Sequence, residues 1–123
     1  MTKAIIIDVD NTLTMDADCD YSEKPVNQGV VSKVREAKSN GYEIILYTSR
    51  NMRTFNKDIG KINKNTLPIL FEWLDKNEIP YDSVIVGKPW CGEGGFYVDD
   101  RAIRPSEFTA LTFSEIEALL DNE

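Results

Sequence analysis

Four polar clusters in this 123-residue sequence carry side chains that do chemistry, and each follows an apolar run. Asp8-Val9-Asp10-Asn11-Thr12 ends the run that begins at Ala4. Thr48-Ser49-Arg50 follows the run Tyr42 to Tyr47, Gly87-Lys88-Pro89 follows Val84 to Val86, and Asp99-Asp100 follows Phe96 to Val98. Asp8, Asp99 and Asp100 brought together would repel one another unless a cation neutralised them, and an all-oxygen set with open water positions suits Mg²⁺. Lys88 adds positive charge, while the Thr48 hydroxyl and loop amides donate hydrogen bonds, a combination complementary to a transferring phosphoryl group. The sequence has no histidine, so an aspartate is the candidate nucleophile and the two-residue offset leaves a second carboxylate to move protons. Asp8 is therefore assigned the attack and Asp10 the proton transfers.

These clusters act together only if the elements before them are parallel strands. Ala4 to Val9 is isoleucine-rich and uninterrupted, the pattern of a strand covered on both faces. Asn27 is a good N-cap, Val30, Val31, Val34 and Ala37 share one helical stripe, and Asn40-Gly41 supplies a left-handed stop. A polar stretch, Ser49 to Asn65, separates the second strand from a helix through Leu67, Leu70, Phe71 and Leu74. Val84 to Val86 and Phe96 to Val98 read as two further short strands, and Ser114-x-x-Glu117 as a capping box opening a last helix with Ile116, Leu119 and Leu120 inward. Strand and helix alternation predicts right-handed crossovers and an open, three-layer parallel α/β sheet, with ligands gathered at the carboxyl ends of its strands.

Composition narrows the class. With 14 basic and 21 acidic residues the net charge is −7, which argues against general nucleic-acid binding. No apolar run reaches a membrane span and the first residues do not read as a signal peptide, so the expected location is the cytoplasm. Cys19 and Cys91 show no Cys-x-x-Cys spacing, and a disulfide scaffold or zinc site has little support. One domain, residues 1–123, is expected, with a short flap at about 11–26.

In this order the motifs resemble those of the haloacid dehalogenase superfamily of aspartate-nucleophile phosphatases: DxDxT, then Thr or Ser, then Lys, then paired acids. The segments TSRNMR, GKIN, TLPILFEWLD, GKPW and GFYVDDRAIRPSEF are similar to the small phosphatases encoded with bacterial capsule polysaccharide genes. The resemblance implies that Asp8 is the phosphorylated nucleophile, Asp10 the acid and base, Thr48 the phosphoryl anchor and Lys88 the charge stabiliser. It also implies that Asp8, Asp10 (through its carbonyl as well), Asp99 and Asp100 surround Mg²⁺. Asn11 replaces the glycine that many members carry at this position. Superfamily members often insert a cap domain after the first or third strand, and neither slot has room here, so a capless form with an open site is expected.

The expected substrate is a small phosphosugar or sugar-nucleotide-type molecule, contacted by Asn11, Ser49, Arg50, Arg53 and Trp90. Arg50, Arg53, Lys57, Lys61 and Lys64 against Asp58 make the segment a basic rim, and a homo-oligomer would supply the missing lid. Two alternatives use similar residues. A receiver-type signalling module also has an aspartate cluster, a threonine and a Lys-Pro, but it expects the Lys-Pro near the end, whereas here the paired acids come after Lys88-Pro89. A nucleic-acid end phosphatase would want a broad basic track, and one segment qualifies. Asp16-x-Asp18-x-Asp20 imitates a calcium loop but has Tyr21 where glycine is required.

Overall fold

The computed structural model describes residues 3–122, which divide into two compact units, up to Trp90 and from Cys91. The first unit is a parallel α/β sheet. Strands β1 (Ala4–Ile7), β2 (Glu43–Tyr47) and β3 (Ser83–Ile85) lie side by side in that order, joined through helices α1 (Gln28–Ser39) and α2 (Ile59–Lys76). Ile7 stands opposite Leu46, and Leu46 opposite Val84. With right-handed crossovers, sequential parallel strands place both connecting helices on one face of the sheet. Burial agrees: Ile7, Ile44 and Leu46 alternate onto the covered face, whereas Ile6 is 63% and Ile85 49% exposed on the other. Within the first unit Ile7 meets the helices and Ile6 points away from them.

Each crossover helix forms where its sequence stops competing with water. The Asn27 side chain accepts a hydrogen bond from Val30 N at 3.3 Å, which satisfies one of the first-turn amides. Val30, Val31, Val34 and Ala37 are then fully buried, and Gly41 leaves the helix with φ +89°, a conformation natural to glycine. Helix α2 starts at Ile59, earlier than the apolar stripe alone indicates, because the Asp58 carboxylate accepts from Lys61 N at 3.1 Å and caps it. Ile62, Thr66, Leu70, Trp73 and Leu74 form its buried face. Lys61 and Lys64 accordingly belong to a helix and not to a loop.

Between β1 and α1 the chain makes a short flap and no cap domain. Thr14 bridges Val26, and a single 3-10 turn spans Tyr21–Glu23. Trp73 Nε1 donates to the Lys24 carbonyl at 2.8 Å and Lys76 Nζ to the Ser22 carbonyl at 3.1 Å, so α2 holds the flap down.

The second unit contains α3 (Pro105–Ala110) and α4 (Phe113–Asp121), with Phe108 buried. Helix α3 was not foreseen: it is one and a half turns long, too short for a periodic stripe, and starts at Pro105 with Glu107 folding back onto the Arg104 amide. The capping box of α4 is Thr112 with Glu115, two residues before the pair read from the sequence. Leu119 is exposed, and Ile116 and Leu120 are partly so. Phe96 to Val98 carries no strand in this structure. Among the described residues no helix is long and apolar enough to cross a membrane.

One polar contact registers β2 against the turn before β3. Asp82 accepts from Ile44 N at 2.7 Å and from Lys38 Nζ at 2.6 Å, and the backbone bond first, then the lysine, hold its carboxyl below the ordinary aspartate value. A carboxyl with a lowered folded-state pKa stabilises above the unfolded value of 3.8 and loses that contribution as the pH falls through the folded value. Asp82→Ala is therefore expected to lower the urea midpoint at pH 7, with the difference from the parent shrinking below pH 4; an equal difference at pH 2.5 and pH 7 contradicts this.

Candidate active site

The carboxyl ends of β1, β2 and β3 bring four of the predicted residues together. β1 ends in Ile7, so Asp8 emerges at the sheet edge and Val9, fully buried, anchors the loop that follows. The Val9 carbonyl accepts from the amides of Leu13 and Thr14 at 2.9 and 3.1 Å, closing a tight turn over Asp10 and Asn11. Asn11 sits at φ +62°, left-handed backbone, and its amide donates to Thr14 Oγ1 at 2.9 Å. Glycine would adopt that φ freely, and asparagine is among the few side chains that tolerate it, so the turn survives the replacement.

Thr48 Oγ1 accepts from Arg50 N at 3.0 Å, and Thr48 is buried. Its amide donates to the Ile85 carbonyl at 3.0 Å and its carbonyl accepts from Lys88 N at 3.1 Å. The β3 extension is thereby zipped to Thr48, and this places the Lys88 ammonium 3.6 Å from Asp8 Oδ1. Thr12 Oγ1 donates to the other Asp8 oxygen at 3.2 Å. Thr12 had no assigned role, although its place in the DxDxT spacing was the signal for it. Burial pushes the Asp8 carboxyl above its ordinary value; Lys88, the Val9 amide and Thr12 pull the other way with smaller effect. The carboxylate is thus incompletely compensated, as expected of a group that awaits further positive charge.

Arg50 does not stand in the basic rim. It is only 3% exposed and forks onto Asp10, with Nη2 to Oδ1 at 2.7 Å and Nε to Oδ2 at 3.2 Å. The Tyr21 ring covers the guanidinium at 4.1 Å from its centroid, and Nη1 is buried with no hydrogen-bond partner. Burial, and then the charge of Asp10, raise the Tyr21 phenol above its usual value. The flap is therefore seated on the Arg50–Asp10 pair by a cation–π contact, an arrangement that sequence order did not reveal because Tyr21, Asp10 and Arg50 lie on three separate segments.

The other expected contacts distribute differently. Ser49 is half-buried, whereas Arg53, Lys57, Lys61 and Lys64 are exposed, and Trp90 is exposed at the end of the first unit. Asp99 and Asp100 belong to the second unit, where both are exposed and Asp99 accepts from Arg101 N at 2.8 Å. Among the described residues no group of three or more acidic or cysteine side chains gathers closely enough to hold a metal ion. Asp8 and Asp10 are nonetheless oxygen donors of the kind a hard cation takes, and the raised Asp8 value fits an ion that would relieve it.

A raised folded-state value means that the ionised carboxylate opposes folding above that value, an effect that disappears once the group is protonated in both states. Asp8→Asn is expected to melt at a higher temperature than the parent at pH 7, with the two converging toward pH 3. A variant less stable than the parent at pH 7 would mean that Asp8 is well compensated. Arg50→Met should lower stability by about 2–3 kcal/mol through loss of two charge-assisted bonds to Asp10, read as a reduced urea midpoint.

No protein-family model and no curated protein matches the chain. Two solved structures do. One covers 70% of this chain and 28% of its own at 24% identity, with a TM-score of 0.55, and belongs to a Pnkp1/Rnl/Hen1 complex, a likeness of fold. The other is the crystal structure of a structural-genomics target from Vibrio cholerae, 49% identical over 98% of both chains with a TM-score of 0.96. At that identity and coverage, the chain belongs to the same family as the Vibrio cholerae protein.

Proposed function

We propose that the chain is a magnesium-dependent phosphomonoester hydrolase of the haloacid dehalogenase type that works through an aspartyl phosphate on Asp8. The observation that carries this reading is the meeting, at the carboxyl end of β1, of a half-buried, incompletely compensated Asp8 with Lys88 at 3.6 Å and with Asp10 two residues on. A group kept short of counter-charge, beside a lysine that takes up the charge of a bound phosphoryl, is what a carboxylate nucleophile needs.

In this mechanism an Asp8 oxygen attacks phosphorus in line with the ester bond. That bond breaks as Asp10 gives its proton to the leaving oxygen. Asp10 then takes a proton from water, whose oxygen attacks the phosphorus, and the bond to Asp8 breaks to release inorganic phosphate and the free carboxylate. Both Asp10 oxygens bond to Arg50, so the proton steps require Asp10 to release one of them. Lys88 faces the phosphoryl oxygens and Thr48 anchors the group. Asp8, the Asp10 carbonyl, Asp99 and Asp100 would hold Mg²⁺, which when bound supplies positive charge opposite those oxygens. With no cap over it, the site takes a small phosphosugar or sugar-nucleotide-type substrate of cytoplasmic capsule or surface polysaccharide synthesis. The exposed side chains of Arg53, Lys57, Lys61 and Lys64 supply its anion-gathering rim.

A panel of phosphorylated sugars and nucleotides assayed with Mg²⁺ tests the reading. At least one should be turned over, chelation should abolish the rate and Mg²⁺ restore it, and Asp8→Asn should reduce it by about a thousandfold or more. Asp10→Asn should slow the dephosphorylation step by about 10²–10⁴-fold. Turnover that persists in Asp8→Asn contradicts the assignment.

A further inference from the structure

Three segments of the first unit meet at one carboxylate. Asp10 stands in the turn that the Val9 carbonyl closes, Arg50 follows β2, and Tyr21 opens the 3-10 turn of the flap. The Arg50 fork occupies both Asp10 oxygens, at 2.7 and 3.2 Å, and the Tyr21 ring lies over the guanidinium at 4.1 Å. Neither end of the fork is loose. The Arg50 amide donates to Thr48 Oγ1 at 3.0 Å, and the amides of Leu13 and Thr14 hold the turn that carries Asp10. The ring is held in its turn, because Lys76 Nζ and Trp73 Nε1 donate to the Ser22 and Lys24 carbonyls just after it.

Packing alone does not account for an arginine here. Its Nη1 is buried without a hydrogen bond, which costs free energy, and an uncharged side chain of similar length would fill the space without that cost. What only the guanidinium supplies is a planar pair of donors that fixes the plane of a carboxyl as well as its position. A group that moves protons needs such fixing. Transfer to a leaving oxygen requires approach to hydrogen-bond distance, and an aspartate left to itself has rotamers that point elsewhere.

We infer that Arg50 and Tyr21 are positioning residues for Asp10: the guanidinium is the pivot on which the Asp10 carboxyl turns toward the leaving oxygen, and the Tyr21 ring keeps that pivot in place while one of the two bonds is given up. At that moment Asp10 holds the guanidinium by a single hydrogen bond, so the share of the cation–π contact is largest then. The inference rests on the proposed function and deepens it. It ties the flap to the proton steps and leaves the attack by Asp8 outside its reach.

Two experiments test this, one of them without turnover. In nitrogen-15-labelled protein the Arg50 Nε–H resonance, identified by its disappearance in Arg50→Lys, should be retained in Tyr21→Phe, which keeps the ring face. In Tyr21→Leu it should exchange with water about tenfold faster. Exchange as slow in Tyr21→Leu as in the parent, or as fast in the parent as at the exposed Arg53, overturns the role of the ring. In single turnovers with enzyme in excess, release of the leaving group from an alkyl phosphate that the parent hydrolyses should be about 10–100-fold slower in Tyr21→Leu and close to the parent rate in Tyr21→Phe. From p-nitrophenyl phosphate, whose phenolate leaves without a proton, release should slow by less than about threefold in Tyr21→Leu. Equal slowing with both substrates, or none with either, overturns the positioning role. A parent that turns over no phosphomonoester sinks the phosphatase reading instead, and the resonance still decides whether the ring holds the pair.

Discussion

The site depends on one constraint: a carboxylate, Asp8, is carried by the end of a parallel strand to a half-buried place that water reaches only in part. β1 cannot shift to relieve this, because its register against β2 is fixed by Ile7 against Leu46 in the covered core and a one-residue slip would turn those side chains to the opposite face. What remains is local compensation. Thr12 and the Val9 amide hydrogen-bond the carboxylate, and Lys88 supplies charge from a loop whose position is set by its backbone bond to Thr48. The same β-strand ends that make the fold thus determine which cation faces which acid. Asp10, two residues on, is fixed separately by the fork of Arg50, so two carboxylates close in sequence meet different surroundings. Environments that differ in this way let neighbouring acids take different roles.

Arg50 links that site to the flap. Its guanidinium lies between Asp10 and the Tyr21 ring, and α2 holds the flap through Trp73 and Lys76. Helix α2 also reaches the loop after β2, where Thr66 donates to Asn51 at 2.6 Å. The loop and the flap are therefore braced by one helix whose Trp73 and Leu74 are core residues. The unpartnered Arg50 Nη1 is the one buried side-chain polar atom of the described residues without a hydrogen bond. Unmet buried donors are costly, and this one lies beside the proposed proton donor.

Much of this was legible in the residues. The run into Asp8, the cap at Asn27 and the left-handed stop at Gly41 are local signals, and the parallel sheet follows from their alternation with helices. Features that depend on partners distant in sequence were not legible. Ile6 and Ile7 look alike in a string, and only the side on which α1 and α2 pack separates them. Phe96 to Val98 has the composition of a strand, but a strand exists only with a ladder, and composition does not say where that ladder is. Arg50 reads as one more cation in a basic stretch until the burial of its side chain and the position of Asp10 are known. The start of α2 at Ile59 was hidden because Asp58 was counted as a charge in a polar stretch and not as a cap.

The central claim is that Asp8 becomes esterified during the reaction. It is tested most directly by quenching the enzyme with a turned-over phosphorylated substrate and Mg²⁺ in acid, digesting it and sequencing the peptides by mass spectrometry. The account predicts a phosphoryl group on Asp8 in the wild type, accumulating further in Asp10→Asn. Turnover with no phosphorylated peptide in either protein, or with the phosphoryl group on another side chain, would contradict it.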